Sequence, residues 1–118
     1  MFGRRNEITL NRVHDTVVFR ESDETLKLTV YSDPMRITSG LMHVQRKLQG
    51  MTDETPEADQ TAMAEELAAV IFGQEQAGKL MAFYHNDAPG VMNVCLQYFK
   101  QRLSRLIVKA QKKTAPKK

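Results

Sequence analysis

The sequence predicts an α+β protein, with a small antiparallel N-terminal sheet of two or three strands followed by about four helices, the last long and basic. Apolar and polar residues alternate in the first third, whereas from Pro34 onward apolar residues recur every three or four positions. Single Pro and Gly residues punctuate the helical part. The 118 residues have room for one domain with a modest core. We expect that domain to span 1–113, with strands over about 5–31, helices over about 33–112 and a disordered basic tail over 114–118.

Three short segments have the composition of strands. Ile8 and Leu10 alternate with polar neighbours, and residues 16–19 are rich in β-branched and aromatic side chains. After a polar turn at residues 21–24, residues 26–31 alternate regularly and place Leu26, Leu28 and Val30 on one face. A hairpin alone is marginally stable in water, so the helices must cover that face.

Two helices with similar beginnings should follow. Asp33 can cap the first helix with Pro34 at its first position, and Gly50 is a natural end. Pro56 opens the second helix, which ends at Gly73. The expected apolar stripes are Ile37, Leu41, Val44 and Leu48 in the first helix, and Met63, Leu67, Val70 and Ile71 in the second.

A short third helix, about 75–85, and a turn at 86–90 lead to the last helix, about 89–112. Its first half is apolar enough to be buried. Its main apolar stripe is Leu96, Phe99, Leu103, Leu106, Ile107 and Ala110, widened in the first half by Val91, Val94, Cys95 and Tyr98.

Charge is unevenly distributed along the chain. Residues 51–99 hold eight acids and one base, whereas residues 100–118 hold eight bases and no acid. This layout is compatible with self-association of the acidic middle with the basic end, or with a partner that has an acidic face. Solvated faces that maintain solubility are the simpler alternative.

Several classes of function are disfavoured. No apolar stretch approaches a membrane span, no signal-peptide core follows the charged N-terminus, and a lone Cys95 cannot form an internal disulfide, so we expect a cytoplasmic protein. His14, His43 and His85 lack metal-ligand spacing, and there is no Gly-rich phosphate loop or nucleophile motif. We therefore predict a protein that is not an enzyme, with no catalytic, cofactor or metal residues.

The second half of the last helix is the strongest candidate site. The predicted partner-binding residues are Lys100, Arg102, Leu103, Arg105, Leu106, Ile107, Lys109, Ala110, Lys112 and Lys113. Three interpretations are open: the cations bind nucleic acid, an exposed apolar stripe binds a partner helix, or that stripe closes the protein's own core. We favour the partner helix and consider nucleic acid unlikely, because aromatic residues are sparse and no helix-turn-helix pattern is evident.

The C-terminal half also carries a recognisable arrangement of motifs. The run Ile-Phe-Gly-Gln-Glu-Gln-Ala-Gly-Lys-Leu at 71–80 leads to Phe-Tyr at 83–84 and Asn-Asp-Ala-Pro at 86–89, and then to a long helix ending in Lys-rich sequence at 102–113. This resembles the tail assembly chaperones of long-tailed bacteriophages and related prophages. The resemblance covers about residues 60–113, with further support from the Tyr-Ser-Asp-Pro step at 31–34.

The resemblance implies a non-catalytic role. Such chaperones bind the long, helical, aggregation-prone tape measure protein in the host cytoplasm, help recruit tail tube subunits and are absent from the mature virion. Many also have a longer form made by translational frameshifting, with which the Lys112-Lys113 pair is compatible. The alternatives are a nucleic-acid-binding module and a structural tail or head–tail connector protein.

Overall fold

A computed structural model describes residues 11–114, with side chains through Gln111. Ile8 and Leu10 of the first predicted strand, and residues 115–118 of the predicted tail, lie outside the described residues. The predicted α+β class is confirmed: a two-stranded antiparallel sheet is followed by helices.

The sheet is a hairpin of β1 (Val13–Glu21) and β2 (Glu24–Ser32), joined by the two-residue turn Ser22-Asp23. Its register runs from Val13 opposite Ser32 to Glu21 opposite Glu24. Ser22 has φ of 53°, the positive value that tight hairpin turns require. Because side chains alternate along a strand, one face carries the apolar residues that meet the helices.

The helical part contains α1 (Pro34–Gln49), α2 (Glu57–Phe72) and α3 (Gln74–Phe83). The last helix consists of α4 (Ala88–Tyr98), a π-helical turn (Phe99–Leu103) and α5 (Ser104–Thr114). It therefore ends two residues beyond the predicted limit.

Helix ends form at the residues with capping chemistry. The Asp33 carboxylate accepts from the Met35 N–H at 2.9 Å, and the Asp87 carboxylate accepts from the Gly90 N–H at 3.2 Å. Gly73 has φ of 90°, which glycine adopts without steric cost, and it separates α2 from α3.

The core lies between the inner face of the hairpin and the helices. Phe72 of α2 links the two parts, with its ring 5.7 Å from that of Phe19 in β1 and 5.9 Å from that of Tyr98 in α4. Fully buried side chains come from the sheet and every helix described: Leu28, Val30, Ile37, Val44, Leu67, Ile71, Leu80, Val91, Cys95 and Leu103 are among them.

One helix side chain also covers the open edge of β2. The Gln76 amide accepts from the Thr29 N–H at 2.9 Å and donates to the Thr29 carbonyl at 2.7 Å. A side-chain amide thus makes the two bonds that a neighbouring strand would make, and it satisfies an edge residue of the two-stranded sheet found among the described residues.

The π-helical turn changes the register of the last helix. Buried positions before it are Ala88, Val91, Cys95 and Tyr98, and buried positions after it are Leu103, Ile107 and Ala110. The step from Tyr98 to Leu103 is five residues, whereas the other steps are three or four. A wider turn accommodates the extra residue, so both halves turn their apolar side chains toward the same core.

Candidate partner-binding groove

The exposed apolar stripe predicted on the last helix is not found. Leu103 is fully buried, Ile107 and Ala110 are buried, and Leu106 is half-buried against the core. The register change at the π-helical turn directs α5 toward β1 and α1, with which it packs. The prediction that these four side chains form an exposed docking stripe is therefore wrong, because they belong to the protein's own core.

The predicted cationic residues, in contrast, are on the surface wherever they are described. Lys100, Arg102, Arg105 and Lys109 are all exposed. Lys112 and Lys113 belong to α5, and their side chains lie outside the described residues. The helix thus presents exposed positive charge beside the apolar residues it buries.

An apolar groove lies between α1 and the last helix. Since Met35 at the start of α1 contacts Gln111 near the end of α5, with Gln111 Nε2 3.3 Å from Met35 Sδ, the two helices run antiparallel. The groove has a volume of about 480 Å³. Its lining comprises Thr38, Leu41, Met42, Val44, Gln45, Leu48, Leu67, Leu96, Phe99, Lys100, Ser104, Ile107 and Val108.

The apolar side chains at the edges of the groove are unusually open to solvent. Met42 and Val108 are each 50% exposed and Leu96 is 40% exposed. These residues line one concave surface, where a bound apolar group would remove them from water. The arrangement suits a helix that inserts its apolar side.

Sequence reasoning missed most of this site. Of the eight predicted partner-binding residues whose side chains the structure describes, only Lys100 and Ile107 line the groove. The periodicity of the sequence predicts Leu96 in the buried stripe and does not indicate Met42 or Val108. The available signal for the groove in the sequence is two pairs of adjacent apolar residues, Leu41-Met42 and Ile107-Val108. Two adjacent apolar residues make the apolar face of a helix wider than contact with one neighbouring helix requires.

The two sides of the groove differ in charge. Lys100 lines it on the last helix, and Arg105 and Lys109 border an adjoining hollow of about 400 Å³ together with Ser104 and Val108. Arg105 donates to the Gln101 carbonyl within its own helix. Among the described residues, Lys100 and Lys109 have no ion-pair partner. The lining residues from α1 are all uncharged.

Arg102 has a structural partner instead. Its Nε donates to Asp15 Oδ2 at 2.7 Å, and the Tyr98 hydroxyl donates to the same oxygen at 2.8 Å. Burial alone would raise the pKa of Asp15, but the bonds from Arg102 and Tyr98 outweigh it and lower that pKa below 3.8. The pKa of Tyr98 is raised, first by burial and then by its bond to Asp15.

The remaining reactive groups among the described residues are the single cysteine and the side chains that could ligate a metal. Cys95 is fully buried, and burial raises the pKa of its thiol to about 12. Within residues 11–111, no three His, Cys, Asp or Glu side chains come together as metal ligands would. No helix among the described residues has the length and apolar character to cross a membrane.

Comparisons of the chain with protein-family models, with curated proteins and with solved structures return no match.

Proposed function

We propose that this protein is a non-enzymatic phage tail assembly chaperone that binds helical segments of the tape measure protein in the groove between α1 and the last helix. The observation that carries the proposal is the groove itself: an apolar floor edged by Met42, Leu96 and Val108, which are 40–50% exposed. An amphipathic helix inserting its apolar side would cover these residues.

The dimensions of the groove suit a helix. On α1 its lining extends from Thr38 to Leu48, eleven residues that span about 15 Å. A bound helix would be held over about three turns. Met42 at the edge is flexible and can adapt to different apolar side chains, as binding to many segments of one long client requires.

A chaperone of this kind would act through many weak contacts. One short groove binds a single helix segment weakly, but copies bound along one long client stabilise each other's attachment through high local concentration. The acidic exposed residues around Glu57 and the basic last helix could add contacts between copies. In this proposal the protein works in the host cytoplasm, helps recruit tail tube subunits and is absent from the mature virion.

Binding of nucleic acid is the second candidate, and the exposed row of Lys100, Arg105 and Lys109 favours it. Cations in a row could contact successive phosphates and would give a steep salt dependence. If the purified protein retains DNA or RNA in low salt, and Lys100→Ala with Arg105→Ala removes that retention, this candidate replaces the chaperone.

Co-expression with the tape measure protein of the same phage genome tests the chaperone directly. The wild-type chain should keep its client soluble, and Val108→Asp or Met42→Asp should abolish this while circular dichroism shows a folded domain. Val18→Asp is the matched control, since Val18 is 53% exposed on the outer face of the hairpin, away from the groove. Equal loss in all three variants would contradict the proposal. Finding the chain in purified virions would instead indicate a structural connector.

A further inference from the structure

We propose that the groove selects a helix whose apolar stripe is bordered on one flank by carboxylates about four residues apart. In the complex, that flank of the bound helix lies against the last helix of this protein. This inference rests on the proposed function and specifies the chemistry of the partner. It follows from the unequal charge of the two sides of the groove.

The side formed by the last helix is cationic. Lys100 lies in the groove lining, and Arg105 and Lys109 follow on the same helix beside Val108. No carboxylate is present among the lining residues of either hollow, and the described residues provide no ion pair for Lys100 or Lys109. Positive charge at this edge is available to a bound partner.

The side formed by α1 differs. Its lining residues carry no charge, and two of its basic side chains point toward α2, where His43 and Lys47 lie 3.6 and 2.8 Å from the Glu66 carboxylate. Arg46 is exposed on α1 but does not line the groove. A carboxylate flank therefore meets a row of cations on the last helix and uncharged side chains on α1.

The spacing of the cations sets the spacing of their partners. With a rise of about 1.5 Å per residue, Lys100, Arg105 and Lys109 are separated along the helix by about 7.5 and 6 Å. A second helix lying alongside presents side chains of one flank at intervals of about 6 Å, one per turn. Carboxylates at i, i+4 and i+8 would match the row.

The charge asymmetry also determines the direction of binding. Turning the bound helix end for end, with its apolar stripe still in the groove, would move the carboxylate flank from the last helix to the uncharged lining of α1. One orientation is therefore favoured, and successive copies on a long client would all point the same way.

Three designed helical peptides of identical composition test this inference by fluorescence anisotropy. All three peptides share one apolar stripe. The first peptide carries three Glu on one flank of the stripe, and the second carries the same Glu on the face opposite the stripe. In the third peptide, the three Glu of the flank exchange places with Lys residues from the far face, so that the flank is basic. The first peptide should bind about tenfold more tightly than the second and more tightly still than the third, and the differences should shrink as salt increases. The triple variant Lys100→Gln, Arg105→Gln, Lys109→Gln should bind the first two peptides equally.

Different failures have different meanings. Equal binding of all three peptides to the wild-type chain, abolished by Val108→Asp, would overturn the inference and retain the groove as a site for a helix. Binding of none of them, together with client solubilisation that is unaffected by Val108→Asp, would overturn both the inference and the proposed function. A nitroxide at the N-terminus of the first peptide should broaden NMR signals at one end of the groove only, and equal broadening at both ends would overturn the fixed direction.

Discussion

The hydroxyl of Tyr98 donates a 2.8 Å hydrogen bond to Asp15, a residue 83 positions earlier in the chain. The same Asp15 oxygen accepts from Arg102, within the π-helical turn. A carboxylate with only 8% of its side chain exposed thus joins the first strand to the point where the last helix changes register. A buried carboxylate that lacked these donors would be costly, so the contact favours one position of the last helix on the sheet.

We predict that Asp15→Asn lowers the free energy of unfolding at pH 7 by about 1–3 kcal/mol, because two donors lose a charged acceptor. The pKa of Asp15 is lowered in the folded protein, so its ionised form stabilises the fold above pH 3.8, and this contribution is lost as the pH falls below that value. Urea unfolding between pH 6 and about 2.5 should show that the free energy of unfolding falls more steeply with decreasing pH in wild type than in the variant. Asp53→Asn, in the exposed linker, is the control and should keep the wild-type dependence.

Deletion of Gln101, an exposed residue of the π-helical turn, should be tolerated. Shortening the step from Tyr98 to Leu103 to four residues allows a regular α-helix to keep both buried faces in line. Deletion of the exposed Asn93 is the matched control, because it rotates the residues on one side of it by about 100° relative to those on the other and turns buried side chains toward solvent. Thermal unfolding should show a cooperative transition for the first deletion and none for the second, and the reverse order would refute this account of the turn.

A pair of glycine substitutions should have opposite effects on stability. A Cβ at Gly40 would lie 2.7 Å from Val70 Cγ1, where α1 and α2 approach closely, so Gly40→Ala should destabilise the fold by about 1–3 kcal/mol. A Cβ at Gly78 in α3 would meet nothing within 4 Å, so Gly78→Ala should stabilise it by up to about 1 kcal/mol. Chemical denaturation measures both, and a stabilising Gly40→Ala would show that the contact between α1 and α2 is looser than described.

Cys95 should report on opening of the core. Because its thiol is fully buried and its pKa is raised to about 12, we expect almost no reaction with a thiol reagent at pH 8 in the folded state. In denaturant the reaction should be complete within the mixing time of an ordinary assay. Rapid labelling of the native protein, with no loss of circular dichroism, would contradict the burial of this residue.

Much of the fold was determined by local sequence. The alternation of Leu26, Leu28 and Val30, the cap at Asp33 with Pro34, and the helix-ending Gly73 all act through neighbouring residues, and the strands and helices they predicted among residues 11–114 are found. Such signals do not depend on the rest of the molecule, because backbone preferences and side-chain periodicity are set within a few residues.

Tertiary structure alone decided which face of the last helix is buried. Leu103, Ile107 and Ala110 have a spacing that suits either a core or a docking surface, and only the extra residue at the π-helical turn directs them inward. The groove likewise required α1 and the last helix to lie side by side, so that Met42 and Val108 line one concave surface. Periodicity along one helix shows that an apolar face exists, but the partner that covers it depends on packing between segments that are distant in sequence.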